Sequence, residues 1–224
     1  MPRQLVFELG HRTARGREDF LVAPSNEAAV AQIDIWPDWP GPTIALSGPQ
    51  GSGKTHLAEV WHEMSGAERL DASVLEGGDV PALVAKRHLI IEDMDVLSDL
   101  GERTLFHLLN LVKEEKAFLL LTARVAPARL TIRLPDLASR LRALPHVELG
   151  APDDALLAGV LVKLFDDRQL RVNEALVTYL ASHIERSIAI ARDVVEALDR
   201  TSLSGKRAIT VPLAAQVLEE LGLS

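Results

Sequence analysis

The sequence predicts an α/β fold, a parallel sheet with flanking helices, followed by a small all-helical domain. Three observations predict it. From about residue 43 short apolar runs alternate with helix-period patterns, as in a parallel sheet with crossover helices. One of these runs leads through a glycine-rich octapeptide straight into a helical pattern. Beyond Pro152 only the helical period is found.

Taken in order, residues 1–19 carry mixed charge with little periodicity and read as an extended arm. Thr43 to Ser47 reads as a strand, and Lys54 to Met64 places Leu57, Ala58 and Trp61 at helical spacing. Leu89 to Ile91 is a second buried strand ending in Glu92 and Asp93. Leu105, Leu108, Leu109 and Val112 mark one apolar helical face, which the charged stretch Lys113 to Lys116 closes. Phe118 to Leu121 is a third strand and Val147 to Leu149 a short fourth. Leu156 to Phe165, Ala175 to Ile184, Ile188 to Leu198 and Val211 to Leu221 all read as helices. The expected organisation is therefore an arm over 1–19, an α/β domain over 20–150 and a helical domain over 151–224.

Composition narrows the function classes. A chain of 224 residues with 47% hydrophobic and 25% charged residues can bury a core, and 4% aromatic content makes that core aliphatic. Cysteine is absent, which removes disulfides, thiolate nucleophiles and Cys-ligated zinc. Arg3, Glu8, Arg12, Arg15, Arg17, Glu18 and Asp19 interrupt the first twenty residues, so neither a signal peptide nor a membrane span is expected there and a cytoplasmic location is. A net charge of -8 repels phosphate backbones and argues against sequence-specific DNA binding, although Arg124, Arg129, Arg133, Arg140 and Arg142 form a local basic cluster.

The chemistry begins at Gly48-Pro49-Gln50-Gly51-Ser52-Gly53-Lys54-Thr55, which fits the phosphate-loop pattern. A glycine-rich turn lets backbone N–H groups close around a β-phosphate at a helix N-terminus. Lys54 is expected to reach the β- and γ-phosphates of ATP or ADP, and Thr55 to ligate Mg²⁺. Glu92 at the next strand end is the candidate second metal-side carboxylate, and Asp93 the group that would polarise an attacking water. The usual order is Asp then Glu; the reversal predicts slow hydrolysis. Without the phosphate loop the same pair reads as two solvated carboxylates. Thr122 can sense a γ-phosphate or position water, or simply close its strand as a β-former. Arg140, on a helix running from Pro135, and Arg192, on the third helix of the small domain, are on position alone either phosphate contacts or solvated charges.

With these residues in view, the chain resembles the DnaA-related AAA+ proteins over nearly its whole length. Leu137-Ala138-Ser139-Arg140-Leu141 is similar to that family's arginine-finger box, and Arg192-Asp193-Val194-Val195 to its second sensor. Asp19-Phe20-Leu21-Val22 with Ser25-Asn26 resembles the segment that packs near adenine. The resemblance implies an AAA+ sheet with a helical lid, a finger at Arg140 directed at a neighbour's nucleotide, and a contact from Arg192 to the chain's own nucleotide. Within the family it points to a regulator of the initiator: with the chain ending at Ser224 no DNA-reading helix-turn-helix domain is expected. Gln4-Leu5-Val6-Phe7-Glu8-Leu9 is similar to a peptide by which such regulators grip the replication sliding clamp. There Gln4, Leu5, Phe7 and Leu9 are the expected contacts, suited to a hydrophobic groove; an N-terminal edge strand is the other reading of the same residues. The expected partners are the clamp and DnaA, with neither DNA read directly nor a membrane. The alternative from another class is a self-contained AAA+ remodelling or motor ATPase acting as a homo-oligomer.

Overall fold

The computed structural model describes residues 20–205 and 207–223. Among the described residues five strands, β1 (Thr43–Ser47), β2 (Glu68–Asp71), β3 (His88–Glu92), β4 (Phe118–Ala123) and β5 (His146–Glu148), form one parallel sheet in the order β2-β3-β4-β1-β5. The first strand in sequence thus sits between the fourth and the fifth. In open α/β sheets the crevice beyond the carboxyl ends of such strands is where ligands bind.

Side chains alternate across a strand, and the two faces of this sheet are covered by different helices. On one face Leu89, Ile91, Leu119 and Leu121 pack with Leu105, Leu108 and Val112 of α4 (Asp99–Glu114). On the other, Ile44, Leu46, Ile90 and Leu120 pack with Ile33 of α1 (Glu27–Asp34) and with Leu57 and Trp61 of α2 (Lys54–Ser65). Burial on both faces explains why these strands read as unbroken apolar runs. The short helices α3 (Val80–Val84) and α5 (Pro135–Ala143) complete the layer of α4, burying Val84, Leu137 and Leu141 there.

A separate core lies in α6 (Asp154–Asp167), α7 (Glu174–His183), α8 (Ile188–Gly205) and α9 (Val211–Glu220), where Leu157, Leu161, Phe165, Leu180, Val194, Val195, Leu198 and Val217 are buried together. Asp153 and Asn173 start α6 and α7 by accepting the N–H groups of Leu156 and Leu176 at 2.7 and 2.9 Å. Such caps are worth about 1 kcal/mol each. Among the described residues no helix is long and apolar enough to cross a membrane.

Three elements, β2, α1 and α3, lie outside the sequence expectation. The edge strand β2 is only four residues long with alternating half-burial, so it carries no apolar run. Helix α1 buries just Ala29, Val30 and Ile33. Strand β4 runs two residues past the expected end, and β5 begins one residue earlier than expected.

Beside α2 lies an aromatic cluster in which His88 stacks on Phe118 at 5.7 Å and meets Trp36 edge-on at 5.5 Å. Burial, and then the charge of Arg87, push the His88 pKa below its ordinary value. A folded-state pKa depressed in this way gives stability that is complete above the unfolded value of about 6.5 and lost as pH falls through the folded value. Thermal melts between pH 7.5 and 5.5 are therefore expected to show a falling midpoint, with a shallower slope for His88→Phe. Equal slopes would assign the pH dependence to other groups.

Candidate functional site

Beyond the C-terminal end of β1 the chain turns through Gly48 to Gly53 into α2, and the close approaches of Gly48 and Gly51 leave no room for a side chain there. Gly48 donates its N–H to Ala123 of β4 at 3.2 Å, and a Cβ on it would lie 2.3 Å from the carbonyl oxygen of Leu149. Gly51 has φ 75°, and a Cβ there would strike Ser187 Oγ at 1.9 Å. The loop is thus held between two strand ends on one side and the first turn of α8 on the other. Its Gly51 carbonyl accepts the N–H of Ile188 at 2.8 Å, a direct link from the helical domain to the loop.

Lys54 is only 7% exposed, and its Nζ donates to the carbonyls of Gly48 and Pro49 at 2.7 and 3.0 Å. Burial lowers its pKa, while the negative charges of Asp93 and then Asp95 pull it back. The ammonium therefore sits folded over its own loop, among carboxylates that favour its charged form.

A cleft of about 530 Å³ opens over the loop. Gln50, Gly51, Gly53, Lys54 and Thr55 line it from the loop and α2, Asp93 and Arg124 from the strand ends, and Ile188, Ala189 and Arg192 from α8. Arg192 stands one turn beyond the Ile188 contact, so the helix that touches the loop also brings this guanidinium to the cleft. Gly48, Pro49 and Ser52 are not among the lining residues.

The two carboxylates at the end of β3 have different surroundings. Asp93, at φ 58°, faces the cleft, and its N–H donates to Thr122 Oγ1 at 3.1 Å. Asp tolerates this left-handed conformation better than most residues. Thr122 itself is 1% exposed, lies outside the cleft lining, and its carbonyl also accepts the N–H of Met94 at 3.0 Å. Its hydroxyl and carbonyl thereby fix the Asp93 turn. Glu92, by contrast, accepts two bonds from Arg69 of β2, from Nε at 3.0 Å and Nη2 at 2.6 Å, and does not line the cleft. The same guanidinium pairs with Glu59 of α2, and both Arg69 and Glu59 do line it. The Thr55 and Glu92 pair expected to hold Mg²⁺ is therefore not presented together to the cleft. Among the described residues no group of three or more His, Asp or Glu side chains is arranged to hold a metal ion.

A second cavity of about 210 Å³ adjoins the first, sharing His56, Ile188 and Arg192 with it. Phe20, Leu21 and Asn26 form one wall, Leu156, Val160, Lys163, Leu164 and Asp167 of α6 the other. Asn26 shapes its wall: the side chain donates to the Leu21 carbonyl and accepts the Ala23 N–H, both at 2.9 Å. Phe20 packs on His56 with ring centres 5.0 Å apart.

Arg140 lies elsewhere. It is exposed in the last turn of α5, its guanidinium carbon 4.9 Å over the ring of Phe106, and it lines neither cavity. The entry to α5 is anchored by Glu102, a 2% exposed carboxylate on α4 that accepts the N–H of Arg133 at 2.9 Å and of Leu134 at 2.7 Å. Of the basic cluster, Arg124 and Arg133 pair with Asp95 and Asp99, while Arg129 and Arg142 are exposed. Gln4, Leu5, Phe7 and Leu9 fall outside the described residues. Arg69, Glu59, His56 and the α6 wall escape a reading of the sequence, which marks Arg124 only as part of the basic cluster; of these four, only His56 has a local signal, following Thr55 directly on α2.

The comparisons fit this geometry. Residues 154–218 match the family model described as the Hda lid domain. Domain III of the Thermotoga maritima replication initiation protein DnaA superposes with a TM-score of 0.75, covering 90% of this chain and 94% of that one at 17% identity. The C-terminal helical core is thus an Hda-type lid domain, carried by a chain with the fold of DnaA domain III. The AMPPCP-bound DnaA of Aquifex aeolicus shares this fold with a TM-score of 0.64 at 17% identity. It covers 82% of this chain, which spans 63% of its length. An uncharacterized protein of Haemophilus influenzae is 26% identical over 193 residues, 79% of this chain and 81% of its own length.

Proposed function

We propose that this Hda-like chain is a regulator of replication initiation that binds adenine nucleotide and the sliding clamp, and promotes hydrolysis of ATP held by DnaA. The observation that carries this reading is the separation of Arg140 from the cleft. A finger acting on the chain's own phosphates would line that cleft, whereas an exposed arginine on an anchored helix is suited to a neighbour's nucleotide. Its contact with Phe106 is worth only about 0.5–1 kcal/mol at an exposed site, so little opposes its transfer to a partner.

The nucleotide assignment rests on the loop and the two cavities. Left-handed glycines, Lys54 and the start of α2 suit a β-phosphate. The smaller cavity, with Phe20 and the apolar residues of α6 on its walls, suits the flat apolar face of adenine, and Arg192 at the shared rim suits a phosphate. A solved DnaA that binds AMPPCP supports the same ligand class. In this reading Thr122 holds Asp93 in place, and Asp93 is the only carboxylate of the reversed pair on the cleft, so the chain's own turnover is slow.

Clamp docking rests on the similarity of residues 4–9 to the clamp-gripping peptide, with Gln4, Leu5, Phe7 and Leu9 as contacts. Gln4→Ala with Leu5→Ala is expected to leave nucleotide affinity unchanged while clamp recovery in a pull-down is lost. Equal recovery by the double variant and the wild type would place the clamp contact elsewhere on the chain.

A further inference from the structure

We infer that the cleft takes a nucleotide polyphosphate without a metal ion, with Arg69 serving as its resident cation. This rests on the nucleotide reading above. Magnesium is held in sites of this kind by one or two carboxylates together with the phosphates, and it gives up water reluctantly. The carboxylate expected to hold it, Glu92, is already neutralised: its side chain is 15% exposed and Oε1 accepts both Nε and Nη2 of Arg69. Releasing it to a metal would break two charge-assisted hydrogen bonds and leave Arg69 short of a partner.

The guanidinium that occupies Glu92 is itself at the cleft. Bonds to Glu92 and Glu59 use one N–H on each of its three nitrogens, so by count two of the five donors remain for phosphate oxygens. Desolvation opposes its charge, but the hydrogen bond and charge of Glu92 and the charge of Glu59 outweigh it, so Arg69 stays protonated. Held from two sides, the guanidinium loses little freedom when it binds, and its planar fork matches phosphate geometry. Lys54, Arg124 and Arg192 also line the cleft, so four basic side chains face it, while Glu92 and Asp95, the partners of Arg69 and Arg124, do not line it. Phosphate oxygens entering the cleft therefore meet cations directly, in the place a metal would otherwise take.

The test is calorimetric titration of the full chain with ADP, in excess Mg²⁺ and in EDTA. The wild type is expected to bind with the same affinity in both buffers, within about twofold. Arg69→Gln removes charged hydrogen bonds worth about 1.5–3 kcal/mol, so its affinity in EDTA should fall about tenfold to a hundredfold. Because that change frees Glu92, Mg²⁺ should restore part of the loss, and Arg69→Lys should recover part of it in EDTA. A tenfold or greater loss of wild-type affinity in EDTA would overturn the inference, with Asp93 then the candidate metal ligand. So would wild-type affinity of Arg69→Gln in EDTA. Absence of ADP binding in either buffer would sink the nucleotide reading, and this inference with it.

Discussion

Lys54→Ala is expected to abolish tight nucleotide binding while leaving the fold intact. The Lys54 ammonium is buried at the cleft and held at 2.7 and 3.0 Å from two carbonyls of its own loop, a short swing from any phosphate seated there. Hydrogen bonds to charged groups contribute about 1.5–3 kcal/mol each, so losing contacts to two phosphates weakens binding by at least about a hundredfold. The alanine keeps the start of α2, and the core residues Leu57, Ala58 and Trp61 lie further along that helix. Calorimetry with ADP on a variant whose melting is unchanged is the check. Wild-type affinity would remove residues 48–55 from the nucleotide site.

Arg140→Ala should affect a partner's nucleotide and hardly touch the chain's own. A guanidinium inserted from a neighbour stabilises charge on the transferring phosphoryl group, an effect worth about 10³–10⁵ in rate when well placed. The substitution removes only an exposed contact with Phe106, so the helix and its anchor at Glu102 should persist. The variant is expected to bind nucleotide and clamp normally and to lose stimulation of DnaA. Arg192→Ala should do the reverse: Arg192 lines both cavities of its own chain, so the variant should bind nucleotide more weakly in cis. Full stimulation by Arg140→Ala, scored as conversion of DnaA-bound ATP to ADP, would remove the finger from this residue.

Strand β1, the glycine loop and α2 are legible in the sequence because they are contiguous: apolar run, glycines and helical period fall within about two dozen residues. The helices of the C-terminal core are legible for the same reason, since each carries its own apolar face. What the sequence hides is pairing at a distance. Glu92 stands out as a carboxylate at a strand end, but the arginine that holds it is 23 residues earlier, on an edge strand with no apolar pattern. The Ile188 bond to Gly51 joins residues more than a hundred apart, and no local pattern marks it. The α6 wall of the smaller cavity is hidden differently, because Leu156, Val160 and Leu164 read as ordinary core positions of an amphipathic helix. Thr122 sits between these cases: its place at a strand end is legible, while its bond to the Asp93 N–H depends on the parallel pairing of β3 with β4.

The central claim is that this chain acts on nucleotide held by DnaA rather than on its own. The direct measurement is a reconstituted reaction containing clamp loaded on DNA, DnaA carrying labelled ATP and the wild-type chain with its nucleotide, followed by conversion of the label to ADP. The account predicts that conversion accelerates when the chain and the clamp are both present, and that it falls to the unassisted rate when either is omitted. No acceleration with all components present, together with rapid ATP turnover by the chain alone, would contradict it.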